Sequence, residues 1–406
     1  MSGRPARVCR LAAALLAATA CQTGPARAGE APAGLTSRVT GVVTWAASAD
    51  RLGAGTPGRD YRLIVRTSVG GTGLRVRFTN AFGDRPLTLD AVYAGVRQRE
   101  ARLRPGSNRR LTFGGARTVT VPAGSAAWSD PLPGRLPAGT DLAVSLRTPD
   151  AAGPATGHPE ARQTSYTGQG ADTAQESGAG WTGTTGSWWY ADAASVRPDD
   201  EGTGAVAVLG DSLTDGREST SGLDRRWPDY LARRLASAGT RLRGVANEGI
   251  SSNRLLADGA GQAAVHRLER DVLSQPGVRT VFLFEGVNDI RAHTGVTAAG
   301  LIAGYRDIAR RAHTAGVCVV AATVGPFRDA PEWDPAAEAV RQDVNRYLRT
   351  SGDFDRVTDF DRALRDPHDP ERIAPLLDGG DHLHPDDRGM RALADAVDLG
   401  GLDCRR

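Results

Sequence analysis

Near residue 200 the hydrophobic period of this chain changes, and no single fold class accommodates both patterns. Residues 36–192 carry short runs, "SRVTGVVTW", "YRLIVRTSV", "GLRVRFTNA", "RTVTVPAG", "DLAVSLRTP" and "SWWYADAAS", separated by clusters of Gly, Pro, Asp and Asn. Apolar and polar residues alternate along these runs, which is the pattern of half-buried strands in an antiparallel β-sandwich or jelly roll. "VRPDDEGTG" at 196–204 is polar and reads as a linker. From 204 onward strand-like runs at 204–209, 241–246, 279–285, 316–324 and 356–360 alternate with helix-like stretches at 226–238, 260–274, 296–315, 335–350 and 385–397. Strands alternating with amphipathic helices imply an α/β domain, a parallel sheet covered on both faces. The 406 residues suffice for two such cores. The expected division is a leader over 1–28, a β-sandwich domain over 36–195 and an α/β domain over 204–402.

The leader reading rests on Arg4, Arg7 and Arg10 ahead of the apolar run "LAAALLAATA", followed by "ARA" at 26–28. That is the layout of a secretory signal peptide with a small-residue cleavage site. A rival reading makes Cys21 in "ATAC" the lipidated first residue of a lipoprotein. Neither this run nor any other is long and apolar enough to span a membrane. Export changes the charge argument. All 50 basic residues are arginine and four lie in 1–28, so the mature chain sets 46 arginines against 47 acids. Such a balance does not point to nucleic acid or an anionic membrane surface as partner. In an oxidising compartment Cys318 and Cys404 have two readings: a disulfide fastening the C-terminus to the sheet, or a buried free thiol beside an exposed one.

In a parallel sheet the working residues gather at the carboxyl ends of the strands. Four polar clusters fall near such ends: "GDSLTDG" (210–216), "NEGISSNRLL" (247–256), "EGVNDI" (285–290) and "GGDHLHPDD" (379–387). Their residue types fit acyl transfer. A serine hydroxyl needs a base to become nucleophilic, imidazole titrates near working pH, and the base needs an acid to fix its tautomer. Ser212, His384 and Asp381 supply these types, and the spacing of the last two lets one turn present both. Donors for an oxyanion are expected at Gly249, at the Asn288 amide and at the Ser212 N–H. Asp211 is expected to hold the turn by accepting backbone N–H bonds. His382 is the competing base, and Asp386 and Asp387 compete to cap the last helix.

These blocks resemble the SGNH/GDSL hydrolase family: "GDSLTDG" with Ser212, "NEGISSNRLL" with Gly249, "GVND" with Asn288, and "DHLHP" with Asp381 and His384, in that order. The resemblance implies a flavodoxin-like α/β/α domain that hydrolyses esters with no metal and no other cofactor. The whole mature chain also resembles a two-domain secreted branch of that family with a β-rich leading domain, through "TSVGGTGLRVRFTNAFGDRPLTL" and "TGHPEARQTSY". The expected substrate is an ester, with small acyl groups on carbohydrate or another polar alcohol favoured. The alternatives are a lipase or phospholipase acting on lipid esters, and a non-catalytic polysaccharide-binding protein. A monomer is the favoured oligomeric state.

Three further expectations come from residue types alone. Phe327, Arg328 and Trp333 in "GPFRDAPEWD" follow the fourth strand and are candidates for substrate contact. Trp181, Trp188, Trp189 and Tyr190 are expected to pack a core or the junction between domains, in preference to stacking on sugar rings. The Asp and His residues of "DHLHPDD" are read as a triad in preference to a metal site, and His158, His266, His293, His313 and His368 as structural.

Overall fold

Alternation along the first half has its physical cause in two buried faces. In the strand Arg59–Arg66, Tyr61, Leu63 and Val65 enter the main core, while Ile64 on the opposite face packs with Leu103 and Ala143. This strand lies between Asp141–Thr148 and Ser165–Gln169, and Leu87–Arg99 pairs beyond Asp141–Thr148. A second sheet carries Val42–Ala46, Ala191–Arg197, Gly71–Thr79 and Leu132–Leu136. All of these pairings are antiparallel. Val43, Val76 and Ala194 of one sheet and Leu63, Val144 and Leu146 of the other share one core. The computed structural model describes residues 40–404, so the expected leader, its cleavage site and Cys21 lie outside the described residues. No described helix is long and apolar enough to cross a membrane.

The second half is an α/β layer structure. Its parallel strands are β1 (Gly204–Gly210), β2 (Leu242–Gly249), β3 (Val278–Phe284), β4 (Cys318–Ala322) and β5 (Arg356–Thr358). They lie in the order β2-β1-β3-β4-β5, which puts the topological switch point at β1 between its two neighbours. Every residue of β1 is buried, which is why its sequence is a continuous apolar run with no alternation. The helices are α1 (Ser212–Asp215), α2 (Trp227–Ala238), α3 (Ala264–Arg267), α4 (Val287–Arg291), α5 (Ala298–Thr314), α6 (Pro335–Thr350), α7 (Phe360–Leu364) and α8 (Asp387–Ala396).

One expected helix is shorter than its pattern suggested. The Asn253 amide takes the carbonyls of Ala260 and Gln262, 2.7 and 2.9 Å away, and holds that segment as a loop. Helix begins only at α3 and continues as a π-helical stretch over Leu268–Leu273.

The two halves form one compact unit. The strand Val42–Ala46 runs beside β2: Ala47 bridges to Asn247, Val43 N–H donates to Pro276 O at 2.8 Å, and Val245 N–H donates to Ser68 Oγ at 2.9 Å. A Cβ at Gly244 would lie 2.4 Å from Val43 O, so the close approach requires glycine there. The β-rich half thus covers the edge strand of the parallel sheet. At the start of β4 Cys318 is joined to Cys404 as a disulfide with Cα atoms 5.9 Å apart.

The aromatic cluster is core. Trp188 is buried, meets Trp45 edge-on at 5.0 Å and donates its indole N–H to Ile64 O at 2.8 Å. Trp189 stacks on Tyr61, and Trp181 lies under the buried Arg62 guanidinium.

Candidate active site

β1 delivers a serine to the end of the sheet through a tight turn. A Cβ on Gly210 would stand 2.8 Å from Phe284 O, so the chain has room there for glycine alone. Asp211 then caps α1, its Oδ1 accepting the Leu213 N–H at 2.9 Å. This is the turn-holding role expected of it. Ser212 becomes the first residue of α1, and its N–H has no acceptor among the described residues.

From the other side the segment before α8 brings up an acid and a base. Ser212 Oγ lies 2.8 Å from His384 Nε2, and His384 Nδ1 lies 2.6 Å from Asp381 Oδ2. Asp381 Oδ1 also accepts the backbone N–H of His384 at 2.8 Å and of Leu383 at 3.1 Å, which fixes the carboxylate relative to the ring it faces. His382, the competing base, turns away to Asp378 Oδ2 at 2.7 Å. Asp386 caps α8 through the N–H groups of Arg388 and Gly389. Asp387 is held by Thr220 and Arg225.

Burial pushes the His384 pKa down and outweighs Asp381, which pushes it up; the charges of Arg217 and Arg291 act with burial. His384 is therefore neutral near pH 7, the state a general base requires. Burial raises the Asp381 carboxyl, but the hydrogen bonds and charge of His384 hold it below the ordinary value, so it stays ionised. Asp211 is pushed up to about 7, first by burial and then by the charge of Asp289. Glu285, buried below the site, is driven well above its usual value, first by burial and then by Asp211.

Asn288, on α4, keeps a donor available. One of its amide hydrogens goes to Asn253 O at 2.9 Å, and Arg291 Nη1 donates to its Oδ1 at 3.2 Å. The Arg291 contact orients the carboxamide and leaves the second N–H uncommitted. Gly249 does not fill its expected role. Its N–H already donates to Asn247 Oδ1 at 3.0 Å, and a Cβ there would sit 2.3 Å from the Asp215 nitrogen. It is a close-packing glycine between β2 and α1. Three residues on, Ser252 adopts φ 64°, in the left-handed region, and its N–H has no acceptor among the described residues. The next residue, Asn253, holds Asn288, so this turn lies beside the amide.

Of the three expected substrate contacts, burial removes one. Phe327 is fully buried in the core. Arg328 lies over Trp333 and pairs with Glu371 and Asp369. From the same segment Glu332 takes the Arg291 guanidinium, which in turn donates to Asn288, and so stands behind that amide. No sequence signal marks it, because the pair joins residues 41 apart.

Residues 208–392 match the GDSL-like lipase/acylhydrolase family. The α/β half is a GDSL-like acylhydrolase domain. It contains Ser212, Asn288, Asp381 and His384, and its chemistry is the hydrolysis of ester bonds. No curated protein matches the chain. The GDSL-like domain is similar to solved structures: the aryl esterase of M. smegmatis (19% identity, 48% of this chain and 96% of that one, TM-score 0.38); a carbohydrate acetylesterase from Sinorhizobium meliloti (19%, 48% and 96%, TM-score 0.37); and a member of the lipolytic G-D-S-L family from Veillonella parvula (21%, 47% and 94%, TM-score 0.37).

Proposed function

We propose that this protein is an exported serine esterase in which Ser212 is the nucleophile, His384 the base and Asp381 the acid that orients it. The observation that carries the proposal is the unbroken chain from Ser212 Oγ through both ring nitrogens of His384 to Asp381, at 2.8 and 2.6 Å. His384 Nε2 takes the hydroxyl proton as Oγ attacks the ester carbonyl carbon. Asp381 stabilises the imidazolium that forms. The oxyanion is held by the Ser212 N–H, the free Asn288 amide N–H and the Ser252 N–H. His384 then gives its proton to the departing alcohol, and water, deprotonated in turn by His384, releases the acid from Ser212.

Arg217, Glu218 and Arg291 set charged groups about His384. Such a rim favours a polar leaving alcohol, so short acyl groups on carbohydrate or a similar alcohol are the proposed substrates. Export is supported by the leader pattern and by the Cys318–Cys404 pairing, which suits an oxidising compartment. Hydrolysis of p-nitrophenyl acetate, butyrate and octanoate tests the reading. Turnover highest on acetate and abolished in Ser212→Ala is the expected result; turnover highest on octanoate would move the substrate to lipid esters.

A further inference from the structure

The oxyanion turn over residues 250–253 is held from beneath by a residue of the β-rich half. His158 ends the strand Pro154–His158 and is buried. Its Nδ1 lies 3.0 Å from Ser48 O, and its Nε2 lies 2.9 Å from Asp215 Oδ1 and 3.2 Å from Glu160 O. All three neighbours offer acceptor oxygens, an arrangement that suits a charged ring carrying hydrogen on both nitrogens. Burial opposes that charge, as does Arg226, but the Asp215 carboxylate outweighs them and the His158 pKa is raised. Trp188 flanks the ring at 5.5 Å.

Asp215 closes α1, three residues after the nucleophile, and is itself buried. Its second oxygen, Oδ2, accepts from both the backbone N–H and the hydroxyl of Ser251, at 2.9 and 2.7 Å. Ser251 immediately precedes Ser252, whose N–H is the open donor. The other end of the turn is pinned by Arg267, which donates to Asn253 Oδ1 at 3.0 Å.

We propose that His158 is a positioning residue for ester hydrolysis: as an imidazolium it fixes Asp215, Asp215 fixes Ser251, and the Ser252 N–H is thereby aimed at the oxyanion. The β-rich half completes the catalytic geometry of the α/β half. This rests on the triad reading above.

The test uses the full chain with p-nitrophenyl acetate. Losing one oxyanion donor costs about 100- to 1000-fold in kcat, so a misaimed donor in His158→Ala should cost about 10- to 100-fold. The loss should fall on kcat with KM nearly unchanged, because the contact is made only in the transition state. His158→Gln, whose amide can still donate to Asp215, should recover most of the rate. A melting-temperature loss with no change in kcat of the folded fraction would make His158 a structural residue only and overturn the proposal, as would an equally deep kcat loss in His158→Gln and His158→Ala. If His158→Ala does not fold, Ser251→Ala, which removes one of the two donors to Asp215 Oδ2, carries the test. A several-fold loss of kcat at near wild-type melting temperature supports the relay, and wild-type kcat overturns it. Ser212→Ala is measured alongside. If it retains turnover, the triad reading fails; if it is inactive while His158→Ala turns over at the wild-type rate, the relay alone fails.

Discussion

Arg267 Nη2 donates to the carbonyl of Gly210 at 2.9 Å, two residues before the serine at the centre of the site. The same fully buried guanidinium donates to Glu248 O, Ser48 Oγ and Asn253 Oδ1, and faces Asp271 and Glu285. It therefore ties the ends of β1 and β2 to the turn over residues 250–253 and to the β-rich half. Removing one partner of a buried ionic group leaves the others uncompensated and costs about 3–5 kcal/mol. Arg267→Met should show a loss of that size in urea unfolding, and a loss below about 1 kcal/mol would deny it this role.

Gly249 is placed by contact. Because a Cβ at that position meets the Asp215 backbone, Gly249→Ala must push α1 away from β2. Overpacking of this kind costs about 1–3 kcal/mol. A lowered melting temperature together with lowered kcat is expected; wild-type stability would mean the space is there after all.

The two buried histidines give opposite pH dependences. The folded pKa of His384 lies below its unfolded value of about 6.5. Between those two values the unfolded chain binds more protons, so this group's contribution to stability is complete above about pH 6.5 and is lost as the pH falls. The acid limb of kcat/KM should accordingly have its midpoint below 6.5. The His158 pKa is raised, by Asp215 against burial and Arg226. Its contribution is complete below about pH 6.5 and is lost as the pH rises through the folded value. Melting temperature against pH for His158→Gln and wild type should differ most on the acid side, and a difference that grows with alkaline pH would contradict the assignment.

Reduction tests the disulfide. A cross-link between residues 86 apart in sequence stabilises mainly by restricting the unfolded chain, by about 2–4 kcal/mol. Cys404→Ser should lower the melting temperature and abolish its sensitivity to dithiothreitol. A variant as stable as the wild type would show the pair to be unformed in solution.

The sequence exposes those parts of the molecule whose cause is local. β1 is a buried apolar run and α6 begins with an Asp cap at 334 followed by Pro335, so both are readable from a few neighbouring residues. Asp381 and His384 are readable because only two residues separate them. What stays hidden depends on distant contact. The strand Val42–Ala46 finds its partner at Ala191–Arg197 and its second neighbour at β2, and alternation names neither. Gly249 is misread because a glycine signals a close approach without saying what approaches. Phe327 follows a strand at the correct end of the sheet, yet its side chain turns inward. His158 reaches Asp215, Arg267 reaches Gly210 and Glu332 reaches Arg291 across 41 to 57 residues, pairings that no period or spacing encodes.

The nucleophilic role of Ser212 is tested most directly by covalent labelling with an organophosphate, followed by mass spectrometry of the labelled peptide and p-nitrophenyl acetate turnover, for the wild type and Ser212→Ala. One adduct per chain is expected, on Ser212, with turnover lost in step with labelling, and Ser212→Ala should be folded but inactive and unlabelled. An adduct on another residue, or turnover retained in Ser212→Ala, would contradict it.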